Sequence, residues 1–250
     1  MGEMIGIHQQ SGMVQAYVAM PQKTPTFKGA VLLAHEIWGL SEHIKSVANR
    51  FASQGYYVLA PDLYSGQGGT HESTEQLQRD LFSDNDRIRS AAQPKLRLLL
   101  APTQTPQFTT RAISRLESCF EYIYTQPLVH QKVAMVGFGL GANYVLSMAV
   151  REPRLRGVVS FYGHSLYTTT KLEHIHYPIT AYYGSKEKAL MLELNKMTIN
   201  MKRANVDFRP VVYNEAGHAF FNDTNPYAYN SIAAADSWTR TINFLQECMA

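Results

Sequence analysis

Histidine and carboxylate side chains recur just after short apolar runs in this chain, in an order from which proton-transfer chemistry can be assembled. The run GAVLLA leads into His35, Glu36 and Ile37, and VAMVGF into Gly139 and Leu140. GVVSFYG carries Tyr162 and leads to His164, PITAYYG leads to Glu187, and FRPVVYNE leads to His218. If these runs are strands of one parallel sheet, their carboxyl ends share the edge at which ligands bind. A glycine-rich strand-turn-helix, an acid after the next-but-one strand and a histidine after the strand that follows give the chain order nucleophile, acid, base. A histidine base takes a proton from the nucleophile, while a carboxylate on its other nitrogen fixes the tautomer and stabilises the imidazolium. Glu187 and His218 have the residue types and the order for those two roles. The first role is the open question, because Gly139, at the centre of VAMVGFGLGANYV, has no side chain.

The elements that must position these groups follow from hydrophobic periodicity. The apolar runs alternate with amphipathic stretches at 41–54, 141–151, 189–204 and 227–247. Short β-rich runs alternating with helical ones predict a mostly parallel, twisted sheet with helices on both faces. MVQAYVAM alternates with period two and predicts an outer antiparallel strand. Between about residues 66 and 110, GQGGTHESTEQLQRD and LAPTQTPQFTT punctuate helical segments with no strand between them. This region reads as an inserted, lid-like helical segment over the ligand edge of one domain spanning 1–250.

Composition narrows the function classes. With 250 residues, 45% of them hydrophobic, the chain is long enough for one α/β domain with a full core. A net charge of +3 without a basic run argues against a nucleic-acid surface. No apolar run approaches a membrane span and the first residues lack the pattern of a secretory signal, so the expectation is a soluble cytoplasmic protein, monomer or homodimer. Cys119 and Cys248 are the only cysteines, with no CxxC pairing for zinc. Cys119 lies in the helical pattern SRLESCFEYI, where a thiol serves as a small buried hydrophobe. His174 and His176 in KLEHIHYP have no third ligand spaced to join them, and His43, at a helix start, is expected to be solvated. No metal and no cofactor are expected.

Taken together, LLAHEIWGL, GYYVLAPDLYSG, VGFGLGA, YYGSKE and YNEAGHAF resemble the dienelactone hydrolase family, and the resemblance runs from about residue 13 to the C-terminal helix. It implies an α/β-hydrolase fold and a cysteine hydrolase of lactones and related esters. Residue by residue, it implies that Glu36 assists the nucleophile, that His218 is the base, and that the backbone N–H groups of Ile37 and Leu140 form the oxyanion hole. Glu187 takes the place of the family's usual aspartate, one methylene longer. Gly139 falls where the nucleophilic cysteine belongs. Trp38, Tyr64, Tyr162 and Phe220 lie next to these positions and are expected to line a pocket for a small ester or lactone. The AFFND loop after His218 has no cation for a substrate carboxylate, and Arg79 is the remaining candidate.

A nucleophile elbow holds its central residue at a strained backbone angle, and glycine removes most of that strain. The expectation is therefore a hydrolase with altered or lost activity, in which Glu36, Glu187 and His218 hold a water for direct attack. A non-catalytic small-molecule-binding protein with the same pocket is the alternative. Gly137, Gly139 and Ala142 also satisfy G-x-G-x-x-G/A, but the next apolar run, GVVSFYGHS, lacks the acid that a dinucleotide-binding turn requires.

Overall fold

Every residue of AVLLA, YVLAP, VAMVGF and GVVSF is buried, as expected for parallel strands covered on both faces. The computed structural model describes residues 2–9, 12–22, 27–65, 71–164 and 167–250, for 71–75 the backbone alone. In chain order the elements are β1 (Glu3–Gln9), β2 (Gly12–Ala19), β3 (Ala30–Ala34), α1 (Glu42–Ser53), β4 (Tyr57–Pro61), α2 (His71–Leu81), α3 (Asp86–Leu100) and α4 (Pro106–Tyr124). There follow β5 (Val133–Phe138), α5 (Leu140–Ala149), β6 (Gly157–Phe161), the short α6 (Thr169–Leu172), β7 (Ile179–Gly184), α7 (Lys188–Arg203), β8 (Phe208–Tyr213) and α8 (Ser231–Cys248).

Among the described residues the strands form one sheet in the order β1-β2-β4-β3-β5-β6-β7-β8. The strands from β4 to β8 run parallel, while β1 and β2 pair antiparallel at one edge. The expected outer position of β2 is corrected by β1, which pairs outside it along its whole length. EMIGIHQ is mostly exposed, with Ile7 its one buried residue, so it carries little of the hydrophobic signal by which a strand is read.

The topology decides where the site is. From β3 the chain steps outward to β4 and then returns past β3 to build β5 on the other side. Ligands bind at such a reversal of strand order, beyond the carboxyl ends of the two strands involved. Glu36 follows β3 there and Gly139 follows β5.

Helices cover both faces. Helices α4 and α5 pack on each other and on the central strands, whereas α1 packs on β2 and β4 and α8 on β6 and β7. In α1 the buried residues His43, Ile44, Val47, Ala48, Phe51 and Ala52 recur at helical spacing, and Phe51 meets Trp238 of α8 at 4.6 Å between ring centroids. Beneath the ligand edge the rings of Phe138, Phe161 and Phe221 pack with centroids 4.5 to 5.3 Å apart. Burying each such ring contributes about 1.5–3 kcal/mol. Among the described residues α2, α3 and α4 lie between β4 and β5, and no helix is long and apolar enough to cross a membrane.

Candidate active site

Backbone geometry makes the elbow. Gly139 sits between β5 and α5 with φ 51° and ψ −113°, and its N–H donates to the Phe161 carbonyl at 3.0 Å. The turn is tight because α5 starts directly against the end of β3. A Cβ on Gly141 would lie 2.4 Å from the carbonyl oxygens of Ala34 and His35, so only glycine permits that approach. Residues 36 and 139 thereby become neighbours: a Cβ built on Gly139 would lie 3.7 Å from Glu36 Cβ, 3.7 Å from His218 Nε2 and 3.8 Å from Tyr162 Cε2. Positive φ also occurs nearby at Tyr162 (45°), Glu215 (61°) and Ala219 (58°), so strained backbone gathers around this edge of the sheet.

The structure brings His218 and Glu187 together. His218 Nδ1 lies 2.8 Å from Glu187 Oε1. With Nδ1–H donating to the carboxylate, the lone pair of the neutral ring is on Nε2, the nitrogen that faces Gly139. Glu187 makes this contact from the N-cap position of α7. The Tyr162 ring packs on the imidazole with centroids 4.9 Å apart.

Glu36 is a different kind of carboxyl. It is buried, and Asn222 Nδ2 donates to its Oε1 at 2.5 Å. Desolvation raises its pKa from the ordinary 4.5 to about 7, against the opposing pull of His218 and of the Asn222 hydrogen bond. Asn222 Oδ1 accepts from the Thr224 N–H and hydroxyl, which orients the amide so that its NH2 points at Glu36. Sequence reading missed Asn222; its signal was a polar residue within the apolar run AFFN.

A second set of bonds fixes the loop after β3. The Leu63 N–H donates to His35 Nε2 at 2.9 Å, so Nδ1–H of the neutral ring donates to the Glu36 carbonyl at 2.7 Å. The Tyr64 hydroxyl donates to the Ile37 carbonyl at 2.9 Å. The buried Arg115 of α4 donates to the Leu63 and Ser65 carbonyls and so holds the turn that supplies both contacts. Among the described residues no acceptor takes up the N–H of Ile37 or of Leu140, the first residue of α5.

The four expected pocket residues part company. The Tyr162 ring edge lies among the nearest groups to a Cβ built on Gly139. Tyr64 is half-buried and braces the loop. Phe220 is wholly buried against Tyr162, Tyr213 and Phe161, a core residue rather than a pocket wall. Trp38 turns away into a separate apolar cluster with Leu77, Leu81 and Ala92 of α2 and α3.

Several other expectations change as well. His43 is not solvated: it is 4% exposed, with Nδ1 3.0 Å from Asp223 Oδ1, and burial holds its pKa below the usual imidazole range. Ile44, Val47 and Phe51 draw this face of α1 onto the sheet and carry His43 with them. Arg79 lies on the exposed side of α2, bonded to Gln76 Oε1 at 3.0 Å. His164 is exposed, its ring 3.7 Å from Glu193. Burial pushes the thiols of Cys119 and Cys248 up to about 12, away from the thiolate.

The sheet order, its reversal at β3 and β5, and the strained strand-turn-helix make this an α/β-hydrolase fold. Within that class the chain belongs to the dienelactone hydrolase family, whose profile matches residues 14–249. A protein of Saccharolobus solfataricus named "Putative carboxymethylenebutenolidase" is 28% identical over 249 residues, with 93% of each chain covered. Protein usf of Aquifex pyrophilus is 27% identical, with 99% of each covered. A crystal structure from Klebsiella pneumoniae, named "Putative Dienelactone Hydrolase", shares the fold with a TM-score of 0.80 at 23% identity over 98% of both chains.

Proposed function

We propose that this chain hydrolyses carboxylic esters or lactones with water, rather than a side chain, as the nucleophile. One observation carries the reading: a histidine oriented by Glu187 presents its free Nε2 3.7 Å from where a Cβ of residue 139 would be. Water between Nε2 and a bound carbonyl carbon loses a proton to His218, and Glu187 stabilises the imidazolium. The oxyanion is received by the N–H groups of Ile37 and Leu140. His218 then returns its proton to the departing alkoxide. Glu36, largely protonated below neutral pH, keeps a negative charge away from the attacking oxygen.

The altered activity follows from chemistry. Deleting the nucleophile of subtilisin costs about 10⁶-fold in kcat, yet roughly 10³–10⁴ over water survives from the oxyanion hole and binding. A rate of that reduced kind is what the groups around Gly139 support. The absence of any side chain there also favours a second reading, a binding protein that holds esters or lactones without cleaving them. Turnover of an ester and lactone panel by the native chain and by His218→Ala separates the two. Hydrolysis lost in the variant supports the enzyme; thermal stabilisation by a lactone with no turnover in either supports the binder.

A further inference from the structure

The connection between β8 and α8 carries His218, and it is anchored on either side of that residue. On the side of the acid, the N–H of Lys186, next to Glu187, donates to the Ala216 carbonyl at 3.0 Å. On the other side, two consecutive residues reach the segment that leads from β3 into α1. Asn222 Nδ2 donates to Glu36 Oε1 at 2.5 Å, and Asp223 Oδ1 lies 3.0 Å from His43 Nδ1. Between His218 and this second anchor the turn is closed on itself, since the Asn222 N–H donates to the Ala219 carbonyl at 2.9 Å.

The contact of His43 with Asp223 is not what packing alone would select. His43 is buried whereas the Asp223 side chain is 58% exposed, so it is the histidine that is held out of water. Burial, against the pull of Asp223, keeps the ring neutral, and its one proton then sits on Nδ1, facing the carboxylate. The lone pair is left on Nε2, which lies buried beside the Phe138 and Phe221 rings with no hydrogen-bond partner among the described residues. An unpaired buried nitrogen is unfavourable, and a leucine would fill the same space without it. What the histidine supplies is the donor at Nδ1. Two turns further along α1 the Arg50 guanidinium lies 5.3 Å from the centre of the Phe221 ring, so α1 grips the same connection at residues 221 and 223.

We propose that His43 is a positioning residue of the site: through Asp223 it holds the connection that carries Asn222 and His218 against the segment that carries Glu36, and so sets how Asn222 meets Glu36 and how His218 Nε2 meets Gly139. The inference rests on the role proposed above for His218. Besides burial, the groups that act on the Glu36 carboxyl are His218 and Asn222. An effect of position 43 on Glu36 therefore arrives through the connection and not by direct contact.

The test follows the Glu36 carboxyl through pH by 13C NMR, with Glu36→Gln to identify its signal, in the native chain, His43→Leu and His43→Asn, each checked for folding by circular dichroism. In His43→Leu the midpoint should rise by about 0.5–1 pH unit, because a released Asn222 no longer favours the charged form. In His43→Asn, whose amide nitrogen stands as many bonds from the backbone as Nδ1, it should return to the native value. In an Asn222→Leu background His43→Leu should move it no further, since both changes remove one interaction. Phenyl acetate hydrolysis, read in parallel, should show kcat lower by about 10–10²-fold in His43→Leu with KM unchanged, and recovered in His43→Asn. If His43→Leu does not fold, Asp223→Ala takes its place at an exposed position, and Asp223→Asn, which drops the charge and keeps the acceptor, is the variant that recovers. A midpoint unmoved by the loss of either partner, an effect fully additive with that of Asn222→Leu, or no recovery in the conservative variant overturns the proposal. A midpoint that responds to position 43 in a chain without turnover sinks the hydrolase and keeps the positioning role. Turnover that depends on His218, with an unmoved midpoint, does the reverse.

Discussion

The Asn222 amide donates to the Glu36 carboxyl across 2.5 Å in a buried environment, and the two residues lie 186 positions apart in sequence. Together with the pull of His218, the bond offsets part of the desolvation of Glu36. Replacing Asn222 by leucine leaves that oxygen and the Thr224 donors without a partner. We expect a loss of about 1–3 kcal/mol in urea denaturation. We also expect the Glu36 titration to move to higher pH, because the lost bond favoured the charged form. An unchanged denaturation midpoint would show that water satisfies these groups as well as Asn222 does.

Glu36 makes stability pH-dependent in a stated direction. Its folded pKa, about 7, lies above the ordinary 4.5, so between those values the folded chain holds a proton that the unfolded chain has released. This contribution to stability is complete below pH 4.5, falls as pH rises and is gone above 7, a change of about 3 kcal/mol. Glu36→Gln keeps an acceptor for Asn222 and abolishes the titration. Measured by urea unfolding, the variant should match the native chain near pH 4.5 and be the more stable of the two at pH 8.

Gly139→Cys tests the elbow. A side chain at φ 51° is strained, so the variant should lose about 1–3 kcal/mol of stability. It should nevertheless cleave p-nitrophenyl acetate faster than the native chain, since its thiol would stand beside His218 Nε2. Gly139→Ala should show the same stability loss with no such gain. A folded Cys variant no faster than the Ala variant would mean that Nε2 does not reach a sulfur at this position.

What was legible in the sequence was what local pattern and chain order encode. GAVLLAH, VAMVGF and PITAYYG are apolar along their whole length because both faces of the sheet are covered, and the residues after them fall at one edge because parallel strands end together. Glu187 and His218 were found on that basis. Contacts made at long range were not legible. Asn222 is polar for the sake of Glu36, marked in the sequence only by its place after the apolar AFF, and His43 is buried because α1 turns that face to the sheet. Strand β1 escaped notice because its side chains are mostly exposed at the sheet edge. Pro94 lies inside α3, where a proline ordinarily signals a break, so the extent of that helix was obscured.

The His218–Glu187 pair should separate activity from stability. The His218 side chain is 54% exposed, so His218→Ala should alter unfolding by no more than about 0.5 kcal/mol. Ester turnover should fall by about 10²–10⁴-fold, the share that a general base contributes. Glu187→Gln is the sharper test: its NH2 can donate to Nδ1 and drive the proton to Nε2, the wrong tautomer for a base. A loss of about 10⁴-fold would match the effect of the same change in a serine protease triad. Glu187→Asp should recover part of the rate, since it keeps the charge and shortens the reach.

Trp38 tests whether the helices between β4 and β5 support the site or merely sit beside it. Its side chain leaves the loop that carries Glu36 and Ile37 and enters the cluster of Leu77, Leu81 and Ala92, with Phe82 edge-on at 5.8 Å. That cluster is separate from the main core, and Trp38, with Ile37 packed against it, ties α2 and α3 to the loop. Tyr227 adds a polar tie, its hydroxyl donating to the Ser83 carbonyl at 2.8 Å. Trp38→Ala should cost roughly 3–5 kcal/mol of local stability, read as faster protease cleavage between residues 71 and 100 with little change in protection of β3 and β5. Turnover should fall too, because the loop that presents the Ile37 N–H loses one of its supports while Tyr64 and His35 keep theirs. Faster cleavage at full activity would show instead that the bonds from Tyr64 and His35 hold that loop without Trp38.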